Sequence, residues 1–115
     1  MNILAELNRA LVRMRLPVET GVFSNNAPDA YLVIIPLVDT FALHADDTPG
    51  MDVQEARISL FSKQNYIGNK EKLVQLLLAN DFTITDRRYN GYEYDTGYHH
   101  YTIDVAKPYK FELEE

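Results

Sequence analysis

Apolar residues recur at helical spacing in two stretches of the chain. Over Asn2–Met14 they share a narrow arc, which predicts a one-sided amphipathic helix that Pro17 ends. The same spacing predicts a second helix over Asn69–Asn80, capped by its first residue and stopped by a left-handed turn at its last residue and Asp81. Its apolar arc spans about 200° at about 100° per residue. An arc so wide leaves one edge, including Leu78, for either a subunit contact or packing between the sheet and the first helix.

Alternating and β-branched runs predict strands around these helices. The run Ala30–Val38 is apolar almost throughout, which is typical of a strand covered on both faces, and Pro36 removes a ladder donor near its end. In Val53–Ser62 polar and apolar positions alternate, so we expect the polar face to meet water. Asn90 and Gly91 form a hairpin-type turn signal. The remaining predicted strands are Val18–Val22, Phe82–Asp86 and His99–Val105.

Two segments lack such patterns. The chain turns polar over Asp39–Asp52, and His44–Gly50 combines loop formers with the pair Asp46 and Asp47, so we expect an acidic loop, although Phe41 and Leu43 indicate that its start is still strand-like. Loops often carry function while the scaffold carries stability, which makes this loop a candidate contact with a neighbouring subunit. Residues 107–115 are expected to form a frayed carboxy-terminal tail.

The order of these elements predicts an α+β fold. We expect a mostly antiparallel or mixed sheet of about five strands with two helices packed on one face, because that arrangement buries the apolar surfaces of both. The 115 residues fit a single domain, residues 1–115, since halves of fewer than about 60 residues would have marginal cores. Hydrophobic residues make up 46% and charged residues 24%, which is typical of a globular protein.

Composition and charge argue against several classes of protein. No run approaches the roughly 18 to 20 apolar residues that span a bilayer, and Arg9 and Arg13 interrupt any signal peptide, so we expect synthesis in the cytoplasm without membrane insertion. Cysteine is absent, which excludes disulfides and thiolate metal sites. A net charge of -6 argues against sequence-specific nucleic-acid binding, which relies on clustered Lys and Arg side chains.

Candidate catalytic and metal-binding residues are few. A metal-dependent enzyme would have to use His44, Asp46, Asp47, His99 and His100. Neighbours in a strand point to opposite faces, so His99 and His100 cannot share one ion without a bulge. The chain has no nucleophile elbow, P-loop or dinucleotide glycine pattern. We therefore expect no catalytic residue, no cofactor and no bound metal.

Tyrosines crowd into the last third of the chain. Six of the eight lie at residue 89 or beyond. Tyrosine combines a large apolar area with a polar tip and is common at protein interfaces, but it also suits half-exposed strands, and both interpretations stay open here. The candidate interface residues of this group are Tyr92, Tyr94 and Tyr98.

Four segments carry a resemblance to a known family. They are Ala27–Pro36, His44–Pro49, Glu55–Tyr66 and Tyr92–Asp104. In this order they resemble tail terminator and tail-completion proteins, the small neck proteins of long-tailed bacteriophages and prophages. The resemblance implies a helix-plus-sheet subunit that forms a ring, a hexamer, at the end of the tail tube, stops tube growth and joins tail to head. It also implies a place in the virion after synthesis in the host bacterial cytoplasm.

The partners implied by the resemblance are further copies of the chain, the tail tube protein and the head connector proteins. A monomeric module that binds a host factor or another protein is the alternative from a different class. Oligomeric state separates these two hypotheses, and metal content separates both from the enzyme.

Overall fold

The structure is a computed structural model that describes residues 2–21, 28–45 and 48–111. Its elements are α1 Ile3–Leu11, a 3-10 turn Val12–Met14, β1 Val18–Thr20, β2 Ala30–Ala45, β3 Thr48–Ser62, α2 Tyr66–Ala79, β4 Thr83–Glu93 and β5 Tyr98–Lys110. The strand order is β1-β2-β3-β5-β4, with β1 parallel to β2 and the other neighbouring pairs antiparallel. The predicted α+β fold, with a mixed five-stranded sheet and two helices, is confirmed.

Asparagine side chains set where both helices begin. The side-chain oxygen of Asn2 accepts a hydrogen bond from the N–H of Ala5 at 2.8 Å. Asn65 caps α2 in the same way, so the predicted start at Asn69 is wrong. The earlier turn is stabilised because Tyr66 packs against the core. The predicted left-handed stop is confirmed by a φ of 65° at Asp81.

Apolar side chains of the three central strands form rows beneath the helices. These cross-strand rows are Leu32–Leu60–Tyr101, Ile34–Ile58–Ile103 and Pro36–Ala56–Val105. The helices bury Leu7, Leu11, Leu73 and Leu77 completely in the same core. Each such leucine contributes about 1.5–3 kcal/mol through burial. We call this side of the sheet the helix face and the other side the open face.

Strands β2 and β3 form a long antiparallel hairpin where an acidic loop was expected. Their pairing extends to Ala45 opposite Thr48. The acidic-loop prediction over residues 39–52 is therefore wrong for the described part of this segment, whereas its strand-like start at Phe41 and Leu43 is confirmed. The ladder satisfies backbone N–H and C=O groups whatever the polarity of the side chains, so the polar composition did not prevent a strand. Asp46 and Asp47 lie outside the described residues.

The burial of β2 and β3 differs from the sequence prediction in two places. Coverage of β2 on both faces ends after Ile34, because Leu37 is 42% and Val38 50% exposed beside a bulge that follows Pro36. The polar side of β3 was expected to meet water, yet Ser59 is only 5% exposed. Ser59 lies between β2 and β5, where neighbouring side chains on both strands shield it.

The turn between β4 and β5 lies further along the chain than predicted. Asn90 and Gly91 belong to β4, at a register shift that follows Tyr89, so the hairpin-turn prediction is wrong. The φ of 117° at Gly91 suits a bulge as well as a turn, which explains the error. The turn is formed by residues 94–97, where the N–H of Gly97 donates to the Glu93 carbonyl at 2.7 Å.

The last strand continues to Lys110, so the predicted frayed tail is wrong up to that residue. Its end pairs with Met51–Gln54 of β3. Lys107 donates a hydrogen bond to the carboxylate of Glu6, and the Tyr109 hydroxyl donates to the same group at 3.3 Å. These bonds tie the end of β5 to α1. The final four residues lie outside the described ones.

Candidate functional site

An aromatic surface lies at the end of the sheet where α2 begins. On the helix face, the ring of Tyr66 stacks on Tyr89 with 5.2 Å between centroids, and the Tyr89 hydroxyl lies 3.0 Å from Nδ1 of His99. The ring of Tyr92 lies 4.9 Å from that of His99 and 5.1 Å from that of Tyr94. Tyr94 is 89% exposed. We call these five residues the end surface, and it contains two of the predicted interface tyrosines, Tyr92 and Tyr94.

Basic side chains border the end surface. The Nζ of Lys70 lies 6.0 Å from the ring centroid of Tyr66 and 5.5 Å from that of Tyr101, within reach of a cation–π interaction. Arg87 shares the helix face because it lies opposite Ile103 on β5. Together with Tyr101, these two cations line a shallow groove of about 520 Å³ between α2 and β4. This end of the molecule therefore combines aromatic rings with positive charge.

The opposite end of the sheet projects as an arm, which we define as residues 39–45 and 48–53 with the end of β5. The Ile3 N–H donates to the side chain of Gln54 at 2.8 Å, so the first turn of α1 contacts β3 at the base of the arm. The molecule is elongated, with extents of 53 × 25 × 23 Å. On the arm the rings of Phe41 and Phe111 meet edge-on with 5.0 Å between centroids, and Leu43 is 75% exposed. These three side chains form the arm surface.

Leu43 adopts an unusual backbone conformation. Its φ of 55° lies in the left-handed region, which costs a leucine about 1–2 kcal/mol. The neighbouring strand accommodates it only with glycine at position 50, because a Cβ on Gly50 would lie 2.7 Å from the carbonyl oxygen of Leu43. Strained residues of this kind cluster at functional sites. The conformation therefore favours a contact role for the arm.

The two surfaces lie at opposite ends of the same sheet face. The Phe111 N–H donates to the carbonyl of Gly50 at 3.2 Å, which places the arm surface beside that residue. His99 of the end surface pairs with Ser62. Twelve residue steps along β3 separate Gly50 from Ser62, which corresponds to about 40 Å at about 3.3 Å per residue. The arm surface and the end surface are therefore separate, and no side chain of one subunit contributes to both.

Two predicted interface residues, Tyr98 and Leu78, lie outside both surfaces. Tyr98 faces the other way because strand neighbours alternate, and it is 6% exposed, edge-on to Phe61 at 6.1 Å. It is buried within the subunit, so it offers no surface contact. Leu78 is 56% exposed near the end of α2, about 18 Å along the helix from Tyr66. A partner contact at Leu78 stays a prediction.

The two adjacent histidines lie on opposite faces of the sheet. His99 belongs to the end surface, whereas His100 stacks on Phe61 of the open face with 4.3 Å between centroids. Burial lowers the pKa of His100, and its Nε2 atom is buried without a hydrogen-bond partner in the described part of the chain. The described residues contain no group of three or more His, Asp or Glu side chains placed to hold a metal ion.

His44 lies far from the other histidines. Its backbone pairs with Pro49, whereas His99 pairs with a residue thirteen steps further along β3, roughly 40 Å away. Asp46 and Asp47 lie outside the described residues. The structure thus separates the histidines that the metal-dependent enzyme would have to bring together.

Sequence reasoning did not select six residues of the two surfaces as interface residues: Tyr66, Tyr89, His99, Phe41, Leu43 and Phe111. Tyr89 belonged to the tyrosine group, and His99 was considered only as a metal ligand. Phe41 and Leu43 fell in the expected acidic loop, and Phe111 in the expected tail. The available signal was the alternation of Phe41 and Leu43 in phase with Asp39, which continues a strand pattern through the polar segment. For Tyr66, the signal was the cap residue directly before it.

Comparison with known protein families finds none that matches the chain, and comparison with curated proteins finds no similar sequence. Among the described helices, none is long and apolar enough to cross a membrane. The two surfaces and the resemblance of the sequence segments are therefore the observations on which a functional proposal rests.

Proposed function

We propose that the protein is a structural subunit of a long-tailed phage or prophage that assembles into a ring at the end of the tail tube. In this proposal the ring is a hexamer that ends tube growth and joins the tail to the head connector. The subunit is made in the host cytoplasm and becomes part of the virion. It needs no catalytic residue and no cofactor.

One observation supports ring formation above all. The subunit carries two different apolar surfaces, which include Phe41 and Leu43 at one end and Tyr92 and Tyr94 at the other. Contacts between unlike surfaces are head-to-tail, and repeating them gives closed rings or open filaments rather than a symmetric dimer. Exposed apolar patches also mark interaction sites more often than inert surface. The sequence resemblance supplies the phage setting.

Measuring the oligomeric state tests this proposal. Size exclusion with light scattering over a concentration series should show growth from monomer toward one larger species, and negative-stain images of that species should show closed rings. Addition of the protein to tail tubes from a phage that lacks the gene should place rings at the tube ends. A chain that stays monomeric at every concentration, with bare tube ends, would favour the monomeric binding module instead.

A further inference from the structure

We propose that the arm surface of one subunit docks onto the end surface of a second copy of the chain. This inference rests on the proposed function, because it names the two surfaces through which the ring closes. The charges around the two surfaces favour a second copy of the chain as the occupant.

The arm surface is bordered by negative charge. Asp39 lies opposite Gln54, and Asp52 lies opposite Phe41. Residues opposite each other share a face of the sheet, so both aspartates lie on the helix face with the apolar side chains of the arm. The Asp52 carboxylate accepts a hydrogen bond from the Gln54 side chain at 2.8 Å, which orients it.

The groove beside the end surface carries positive charge. Lys70 and Arg87 line this groove together with Tyr101. Asp86 also lines this groove. Its carboxylate lies 3.5 Å from Nε of Arg88, so the negative charge of Asp86 is compensated by the positive charge of Arg88. Within the groove the two cations therefore outnumber the one carboxylate, while the exposed Glu93 and Asp95 lie on either side of Tyr94 at the β4–β5 turn.

Four charged side chains border the two surfaces. In the described part of the chain, none of Asp39, Asp52, Lys70 and Arg87 takes part in an ion pair. In the docked arrangement the two aspartates meet the two cations around an apolar centre that contains Leu43. Complementary charges of this kind set which surfaces meet and in what register, while the apolar centre supplies most of the affinity.

The same charges disfavour the symmetric alternatives. Two arm surfaces brought together would place aspartates against aspartates, and two end surfaces would place cations against cations. Like charges in contact across an interface oppose binding. Only the head-to-tail contact satisfies both surfaces, and head-to-tail contacts are the kind that generate rings.

Charge reversal tests this docking. We expect the arm variant Asp39→Lys/Asp52→Lys and the end variant Lys70→Glu/Arg87→Glu each to weaken self-association by about tenfold or more, because each places like charges together. Mixing the two variants, or combining all four changes in one chain, should restore association, since opposite charges then meet again. The matched control is Arg13→Glu, a charge reversal on the 3-10 turn.

Sedimentation equilibrium gives the association constants, and circular dichroism shows whether each variant is folded. Should the change at Asp52 unfold the arm, the single changes Asp39→Lys and Lys70→Glu repeat the test. Variants that associate as tightly as the wild type would refute the docking while leaving ring formation intact. A wild-type chain that never associates, even with tail tubes, would refute the proposed function itself.

Discussion

Replacement of Leu43 by asparagine should separate assembly from folding. The side chain is 75% exposed in the subunit, and full burial of a leucine is worth about 1.5–3 kcal/mol. Burying the exposed three quarters at an interface would therefore supply about 1–2 kcal/mol per contact, and losing it should weaken association about 5- to 30-fold. Folding should not suffer, because asparagine tolerates the left-handed conformation that strains leucine.

Sedimentation equilibrium on Leu43→Asn measures the first effect, and the thermal midpoint of the dilute monomer measures the second. The matched control is Val12→Asn, since Val12 is 70% exposed on the 3-10 turn after α1. The control should associate like the wild type. Equal weakening in both variants, or unchanged association in Leu43→Asn, would show that the arm surface does not mediate assembly.

Three further changes test the core, the open face and the arm. Leu77→Ala should lower the free energy of unfolding by about 2–5 kcal/mol because Leu77 is fully buried, whereas Leu78→Ala should change it by no more than about 0.5 kcal/mol; urea denaturation measures both. Burial lowers the pKa of His100 below its ordinary 6.5, so below about pH 6.5 the unfolded chain binds more protons than the folded one. The free energy of unfolding should therefore fall as the pH drops below about 6.5. His100→Phe should reduce this loss, and urea titrations across that pH range measure it. Gly50→Ala should disorder the arm, because the added Cβ would lie 2.7 Å from a backbone oxygen. Gly68→Ala, where a Cβ meets nothing within 4 Å, is its control, and hydrogen exchange of the arm amides distinguishes the two.

The core of this fold could be predicted because its sequence signals are local and periodic. The alternation of Ala56, Ile58 and Leu60 predicts one buried face of β3, and the structure buries all three completely. The amphipathic arc of α1 and the stop at Asp81 follow from similarly short-range chemistry. In each case the residues that decide the structure lie within a few positions of one another.

The full extent of the arm could not be predicted, because strand pairing, which is non-local, decides it, and the local alternation of Phe41 and Leu43 indicates only its start. Polar residues such as Asp39 and Asp52 gave a loop signal, yet each lies within a ladder formed with another strand. Gly91 shows the related difficulty that a glycine with positive φ suits a bulge and a turn equally well. Tyr98 lies close to Tyr92 in the sequence, but the alternation of β5 places it on the open face, away from the end surface.

The poor burial of the arm side chains also favours assembly on energetic grounds. Ordering a residue in a strand costs about 1–2 kcal/mol of backbone entropy, and in the body of the sheet the buried rows offset that cost. On the arm, Phe41 and Leu43 leave more than half of their surfaces in water, and Leu43 adds backbone strain. The isolated subunit therefore gains little apolar burial from these residues. A docking partner that covers them would provide the missing burial, so the energetics of the arm favour the proposed docking of a second copy.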